Sequence, residues 1–189
     1  MPIFKRKNEN FFTKWTPEMA YILGFFTADG SMSKNKRGAH FIELQITAGD
    51  LIRKIRNVLG SNHKITVRKR DAEHKSIYRL QIGSKIMFAD LIDLGITPKK
   101  SKTLKFPEIP RKYVNDFVRG YFDGDGNVTI SRYFRRDRKN HQGRTMLAGF
   151  TSGSKKFLVC LQKCLRQYAS LGRGTLYFSN RGHRLYYSV

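Results

Sequence analysis

The chain has 189 residues, 40% of them hydrophobic, which suits one folded domain or two small ones sharing a core and excludes a disordered basic tail. Its 37 Lys and Arg against 14 Asp and Glu leave a formal charge of +23, a self-repulsion that binding to a polyanion relieves. No apolar run reaches the ~20 residues of a membrane span, and Met1-Pro2-Ile3-Phe4-Lys5-Arg6-Lys7 has no signal-peptide apolar core, so the sequence predicts a cytoplasmic, nucleoid-associated protein with no membrane contact.

The first strong signal is Thr16-Pro17-Glu18, a side-chain cap, a first-turn proline and an acid at the positive helix end, opening a helix that runs to Asp29-Gly30. Short strands are expected at 31–34 and 40–47, then a helix over 51–59 opened by Asp50 and closed by Gly60. Strands at 64–70 and 76–82 precede a helix at 85–94 closed by Gly95. The prolines and lysines of 97–110 predict an extended, solvated connector. A helix at 112–124, strands at 127–134 and 144–151, a helix at 155–168 and strands at 174–179 and 184–189 follow. On the last helix Cys160 and Cys164, four apart, are expected as core-facing thiols, too few for a zinc site.

The order of elements is therefore written twice, and the two copies align. Ile22-Leu23-Gly24-Phe25-Phe26-Thr27-Ala28-Asp29-Gly30 matches Val118-Arg119-Gly120-Tyr121-Phe122-Asp123-Gly124-Asp125-Gly126 at one offset: 120−24, 124−28, 125−29 and 126−30 all equal 96. Gly24 and Ala28, like Gly120 and Gly124, form a small-residue stripe one turn apart, which predicts that the two helices pack closely against each other. Glycine in a helix interior costs about 1 kcal/mol against alanine, so its double occurrence mid-helix argues for a packing role rather than a helix stop.

Asp29 and Asp125 stand at the negative ends of their helices, beside carbonyls that lack helical partners. An acid placed there twice suits a hard cation such as Mg²⁺ that keeps waters and binds phosphate oxygens, the equipment of a metal-assisted phosphodiester hydrolase. A single Asp-Gly would read as a turn. Asp123-Gly124-Asp125-Gly126-Asn127 also begins like a calcium-binding EF-hand loop, but the required Gly and Glu positions hold Val128 and Phe134.

The strands carry a second signal. Lys64, Thr66, Arg68 and Arg70 share one face while Ile65 and Val67 share the other; Arg79 and Gln81 alternate with Tyr78, Leu80 and Ile82. Thr129 and Ser131 alternate with Val128 and Ile130, and Thr175, Tyr177 and Ser179 with Leu176 and Phe178. With Ser31, Ser33, Lys34, Arg135 and Arg184 these polar residues make the candidate DNA-binding set, since a basic sheet face can enter a major groove. An ordinary solvated sheet face has the same alternation; the charge of +23 favours DNA.

At the paired nonapeptides the chain resembles the LAGLIDADG homing endonucleases of the single-chain, two-motif type, from about Trp15 to Val189, including the bridge Leu104-Lys105-Phe106-Pro107-Glu108-Ile109-Pro110. The resemblance implies an α+β fold of two pseudo-symmetric αββαββ(α) halves, each with an antiparallel saddle-shaped sheet, packed through the motif helices. It divides the chain into an N-terminal half at 1–103, a connector at 104–111 and a C-terminal half at 112–189 without the last helix. It implies a monomeric, site-specific endonuclease that cuts both strands of a double-stranded DNA target across the minor groove, leaving short 3′ overhangs. Asp29 and Asp125 would bind Mg²⁺ or Mn²⁺ with the carbonyls of Ala28 and Gly124, and a connector lysine, Lys100 or Lys102, would stabilise the charged phosphate.

The chain departs from the family pattern at Thr27, where an acid is usual and Asp123 keeps it in the second copy. It also departs near Ala48 and Ser152, where a glutamine would be sought. The alternative is an intron maturase bound to intron RNA, or a non-cleaving DNA- or RNA-binding protein on the same fold. A ribosomal or architectural protein explains the charge but not the repeated Asp-Gly helix ends.

Overall fold

The computed structural model describes residues 4–69, 75–134 and 142–188, in two compact bodies. The first comprises residues 1–100 and 107–124; the second comprises 101–106 and 125–189.

In the first body, α1 (Pro17–Asp29) is capped as its sequence requires, with the Thr16 hydroxyl accepting from the Met19 N–H at 3.1 Å and proline in the first turn. It passes without a loop into β1 (Gly30–Lys34), followed by β2 (His40–Ile46), α2 (Gly49–Val58), β3 (Ile65–Arg68), β4 (Ile77–Gly83) and α3 (Lys85–Asp93). The strands form one antiparallel sheet in the order β1-β2-β4-β3. Ile42, Leu44, Ile46, Leu80 and Ile82 are buried beneath the helices, which contribute Phe26, Ile52, Ile55, Met87 and Leu91 to the same core. The opposite sheet face is open. Period-two alternation therefore sorts β2 and β4 as expected.

Two local expectations change. Asp50 does not cap α2; the helix begins one residue earlier, no side chain caps it, and Asp50 instead pairs with Arg53 at 2.7 Å within the first turn. The connector is not simply solvated. Leu104 is buried because its apolar side chain finds a core position, and Lys100 is buried with its ammonium on the Gly30 carbonyl.

The last helix of the first body, α4 (Val114–Asp125), lies against α1 up to Gly124. A methyl group added at Gly24 would meet the Phe117 carbonyl, and one added at Gly120 would meet the Tyr21 carbonyl. The contact is reciprocal under the 96-residue offset, since Tyr21 corresponds to Phe117 as Gly24 does to Gly120. Each glycine thus turns a Cα hydrogen toward a carbonyl of the facing helix, a weak bond that only a missing side chain permits. One turn on, a Gly124 methyl would lie 2.5 Å from the Ala28 Cβ, so this equivalent pair tolerates one side chain but not two. The small-residue stripe works as the sequence predicts.

The second body holds β5 (Gly126–Phe134), β6 (Gln142–Ser152), α5 (Lys155–Ala169), β7 (Thr175–Ser179) and β8 (Gly182–Ser188), with sheet order β5-β6-β8-β7, the same as the first. Phe157, Leu158 and Leu161 of α5 are buried with Phe150 and Leu185 of the sheet. The connector joins this core: Ser154, the cap of α5, donates to the Leu104 carbonyl at 2.8 Å, and the Phe106 ring lies 5.5 Å from that of Phe157. Val128 and Ile130 share the α5 face of the sheet by alternation yet are 54% and 68% exposed. Of the two thiols only Cys164 faces the core; Cys160 is exposed, because a four-residue step drifts about 40° around a helix and carries it to the edge of the buried stripe.

Candidate active site and nucleic-acid interface

Asp29 ends α1, and its Oδ2 lies beside Gly124, the residue before Asp125 in the chain: a methyl group on Gly124 would be 3.5 Å from that oxygen. Asp29 faces a cleft also lined by Gln45, Thr47, Ala48, Asp123 and Gly124. Its side chain reaches solvent, yet the protein packed around it raises its pKa above the ordinary carboxylate value, an effect that the Lys100 charge only partly offsets. A carboxylate held in this way gains most from a cation, and its hard oxygen is the donor type that divalent Mg²⁺ or Mn²⁺ accepts.

Lys100 is the connector residue that the fold brings to this acid. It is 8% exposed, its ammonium donates to the Gly30 carbonyl, and it lies 6.0 Å from the Phe26 ring centroid. A buried lysine on the carbonyl that follows Asp29 leaves a fixed positive charge at the helix end. Lys102 is exposed in the same short 3₁₀ turn. Ala28 and Gly124 are half-buried at the ends of their helices, and Asp125, also half-buried, is the final residue of α4.

The remaining motif positions have structural roles. Thr27, where an acid is usual, is 1% exposed and donates to the Leu23 carbonyl at 2.6 Å, a bond that an ionised carboxylate could not make. Its counterpart Asp123 is exposed and accepts from the Tyr21 hydroxyl at 2.7 Å, and burial together with this bond pushes the tyrosine pKa to about 12. Ala48 lines the Asp29 cleft, but the amide in that cleft comes from Gln45, inside β2.

On the open sheet face of the first body, register aligns Ser31 with Glu43, Glu43 with Gln81, and Gln45 with Arg79, which in turn pairs with Thr66. Ser33 and Arg68 share this face by alternation. Lys64 is exposed just before β3. Lys34 alternates to the other side, where its ammonium sits 5.4 Å from the Phe88 ring centroid. Arg70 and Arg135 lie outside the described residues, as does the side chain of Ser131.

Among the polar residues of this face, Glu43 carries information that sequence reasoning missed. Its Oε2 accepts from Arg79 Nη2 at 2.6 Å and from Gln81 Nε2 at 2.9 Å, while its Oε1 accepts from Gln45 Nε2 at 2.5 Å. Burial opposes its charge, but the Arg79 and Gln45 bonds outweigh that and hold its pKa below the ordinary carboxylate value.

On the second body, Thr129, Thr175, Tyr177 and Arg184 lie on the face away from α5; Tyr177 pairs with Arg184, and Thr175 with Tyr186. Ser179 closes β7 against Gly182. Asn127 donates to the Tyr186 hydroxyl at 2.6 Å on this face, and Tyr177 stacks on Tyr186 with centroids 6.1 Å apart.

Residues 16–93 match the model of the LAGLIDADG-like domain family. A curated relative, an uncharacterized protein of Methanocaldococcus jannaschii, is 26% identical over 121 residues, which are 62% of this chain and 41% of that protein. The chain therefore spans less than half the length of this relative. The fold is similar to that of the I-LtrWI LAGLIDADG homing endonuclease bound to target DNA, with TM-score 0.61 and 13% identity over 96% of this chain and 80% of that one. The meganuclease I-CpaMI bound to uncleaved DNA gives TM-score 0.61 at 13% identity, over 92% and 80% of the two chains. I-SmaMI bound to uncleaved DNA with calcium ions gives 0.58 at 15%, over 93% and 79%. At these identities the likeness establishes the fold.

Proposed function

We propose that the chain, whose residues 16–93 match the LAGLIDADG-like domain and whose fold is similar to that of the LAGLIDADG homing endonucleases, is a site-specific DNA endonuclease hydrolysing one phosphodiester in each strand of a duplex target. Asp29 and Asp125 would hold Mg²⁺ or Mn²⁺, with the carbonyls of Ala28 and Gly124 as further oxygen donors. The metal would supply an activated water and charge stabilisation at the leaving oxygen. On this reading the charge of Lys100, held at the Asp29 end of the site by the Gly30 carbonyl, stabilises the charged phosphate. Lys102 is the second candidate for that role.

The observation that carries the proposal is the reciprocal glycine contact of α1 and α4, which sets Asp29 beside Gly124, the neighbour of the second motif acid. Both acids come from one chain, so a monomer suffices. The two polar sheet faces would follow the major groove, with Ser31, Ser33, Thr66, Arg68, Arg79 and Gln81 from one sheet and Thr129, Thr175, Tyr177 and Arg184 from the other. The structures of I-LtrWI, I-CpaMI and I-SmaMI, all bound to DNA, support this reading by fold.

The test is cleavage of a plasmid library of candidate insertion sites with and without Mg²⁺, using Asp125→Asn as control. Discrete Mg²⁺-dependent double-strand cuts that the variant lacks are expected. Tight binding to one DNA or intron RNA without any cutting would replace the proposal with a maturase or a regulator.

A further inference from the structure

Glu43 is an anomaly on its own surface. The chain carries +23, and the open face of its first sheet presents Arg68, Arg79 and Thr66, yet an ionised carboxylate lies among them. An acid there weakens the attraction of that face for any phosphate, so affinity cannot be what it serves. An ion pair with one exposed partner also adds little to stability.

The geometry indicates another role. The Glu43 side chain is 12% exposed and that of Arg79 is 44% exposed, so the acid lies under the guanidinium rather than beside it. Three donors from two strands converge on it, Gln45 from β2 and Arg79 and Gln81 from β4. A carboxylate only accepts, so each glutamine must turn its NH₂ toward Glu43 and its carbonyl oxygen away. The planar guanidinium likewise commits one N–H and keeps the others in a fixed fork. Three long side chains that would sample many rotamers are thereby ordered before any partner arrives, with known donors and acceptors left over.

We infer that Glu43 is a specificity-determining positioning residue: by fixing Arg79, Gln45 and Gln81 in one hydrogen-bonded array, it makes this patch of the sheet a reader of adjacent purine edges in the major groove. Arg79 suits the O6 and N7 acceptors of guanine. Each glutamine, with an outward oxygen and one remaining N–H, suits the N6 donor and N7 acceptor of adenine. Glu43 itself, its acceptors turned inward, touches no base. The inference rests on the duplex-DNA reading above.

The test selects bound sequences from random duplex DNA in EDTA, so that no strand is cut, with wild-type protein, Glu43→Gln and Arg79→Lys. Glu43→Gln keeps the shape but places a donor among donors. It should bind unrelated duplex as tightly as the wild type or more so, while losing preference over one run of neighbouring positions. The ratio of selected to unrelated affinity should fall by about tenfold, the scale of one bidentate base contact. Arg79→Lys should lose a guanine inside the same run. If thermal melting shows Glu43→Gln unfolded, Arg79→Lys and the double variant Gln45→Ala/Gln81→Ala decide, and both must lose preference within one run. An unchanged motif in folded Glu43→Gln, or losses scattered over separate positions, overturns the inference alone. A wild type that binds duplex DNA without enriching any motif overturns the site-specific reading as well.

Discussion

Replacing Gly24 by alanine tests whether the helix pair is as close as the small-residue stripe implies. The new methyl would stand 2.9 Å from both the Phe117 carbonyl carbon and the Tyr121 nitrogen, and closer still to the Phe117 oxygen. Ordinary contact needs about 3.5 Å or more between carbon atoms. The obstructing atoms are backbone and cannot rotate away, so α1 and α4 must separate and loosen the packing of Phe25, Phe117 and Tyr121, each 1% exposed or less. Overpacking of a dense core costs about 1–3 kcal/mol, and backbone obstruction belongs at the upper end. Against it stands a gain of about 1 kcal/mol from the better helix propensity of alanine. The net is a destabilisation of about 2 kcal/mol, a midpoint lowered by roughly 4–8 °C in a chain of this size. Gly120→Ala should behave alike, and the double variant should lose less than the sum, because either methyl opens the same interface. Urea and thermal unfolding followed by circular dichroism measure all three. A Gly24→Ala protein that is more stable by about 1 kcal/mol would show an unobstructed helix and refute the close approach.

Three further outcomes follow from the site. Because burial raises the Asp29 pKa, its ionised form costs stability; the metal-free protein is free of this cost below the unfolded value of 3.8 and incurs it as pH rises through the raised folded value. Asp29→Asn should therefore melt higher than the wild type near neutral pH without metal, with an advantage that shrinks as pH falls toward 4; a constant difference would contradict the burial effect. Lys100→Met should shift the Asp29 titration further up and destabilise the fold by about 1–3 kcal/mol, since the Gly30 carbonyl loses its donor. An Asp29 carboxyl resonance that titrates unchanged in that variant would place the ammonium elsewhere. Affinity for duplex DNA should fall by about 10³–10⁵ between 50 and 200 mM salt if six to ten phosphates are neutralised, and a flat salt response would remove the electrostatic basis of the interface.

What the sequence revealed follows from which features are local. Periods of two and of three to four residues are set by neighbours in the chain, so the alternation of Tyr78, Leu80 and Ile82 with Arg79 and Gln81 indicated both the strand and its buried face. The 96-residue offset exposed the repeat, and mid-helix glycines indicated a helix pair because nothing local explains their cost. Lys34 illustrates how far local pattern reaches: strict alternation from Ser31 and Ser33 already puts it on the other face, over Phe88.

What stayed hidden depends on register between distant segments. The three donors on Glu43 include partners 36 and 38 residues away, and only the β2–β4 pairing brings them together. Gln45 lines the Asp29 cleft together with Ala48, near which the sequence sought a glutamine, because the end of β2 and the start of α2 meet there. Leu104 and Phe106 read as connector residues, yet the α5 core supplies neighbours that no local rule announces. The two cysteines differ in burial for a like reason, since a four-residue step leaves one at the margin of the stripe.

The central claim, that one acid from each repeat is required for cutting, is tested most directly on the DNA target recovered from the plasmid library. Wild type, Asp29→Asn and Asp125→Asn would be compared for Mg²⁺-dependent linearisation, with binding and folding measured on the same samples. Linear product from the wild type alone, with folding and specific binding retained in both variants, is the predicted result. Full linearisation by both variants would contradict it.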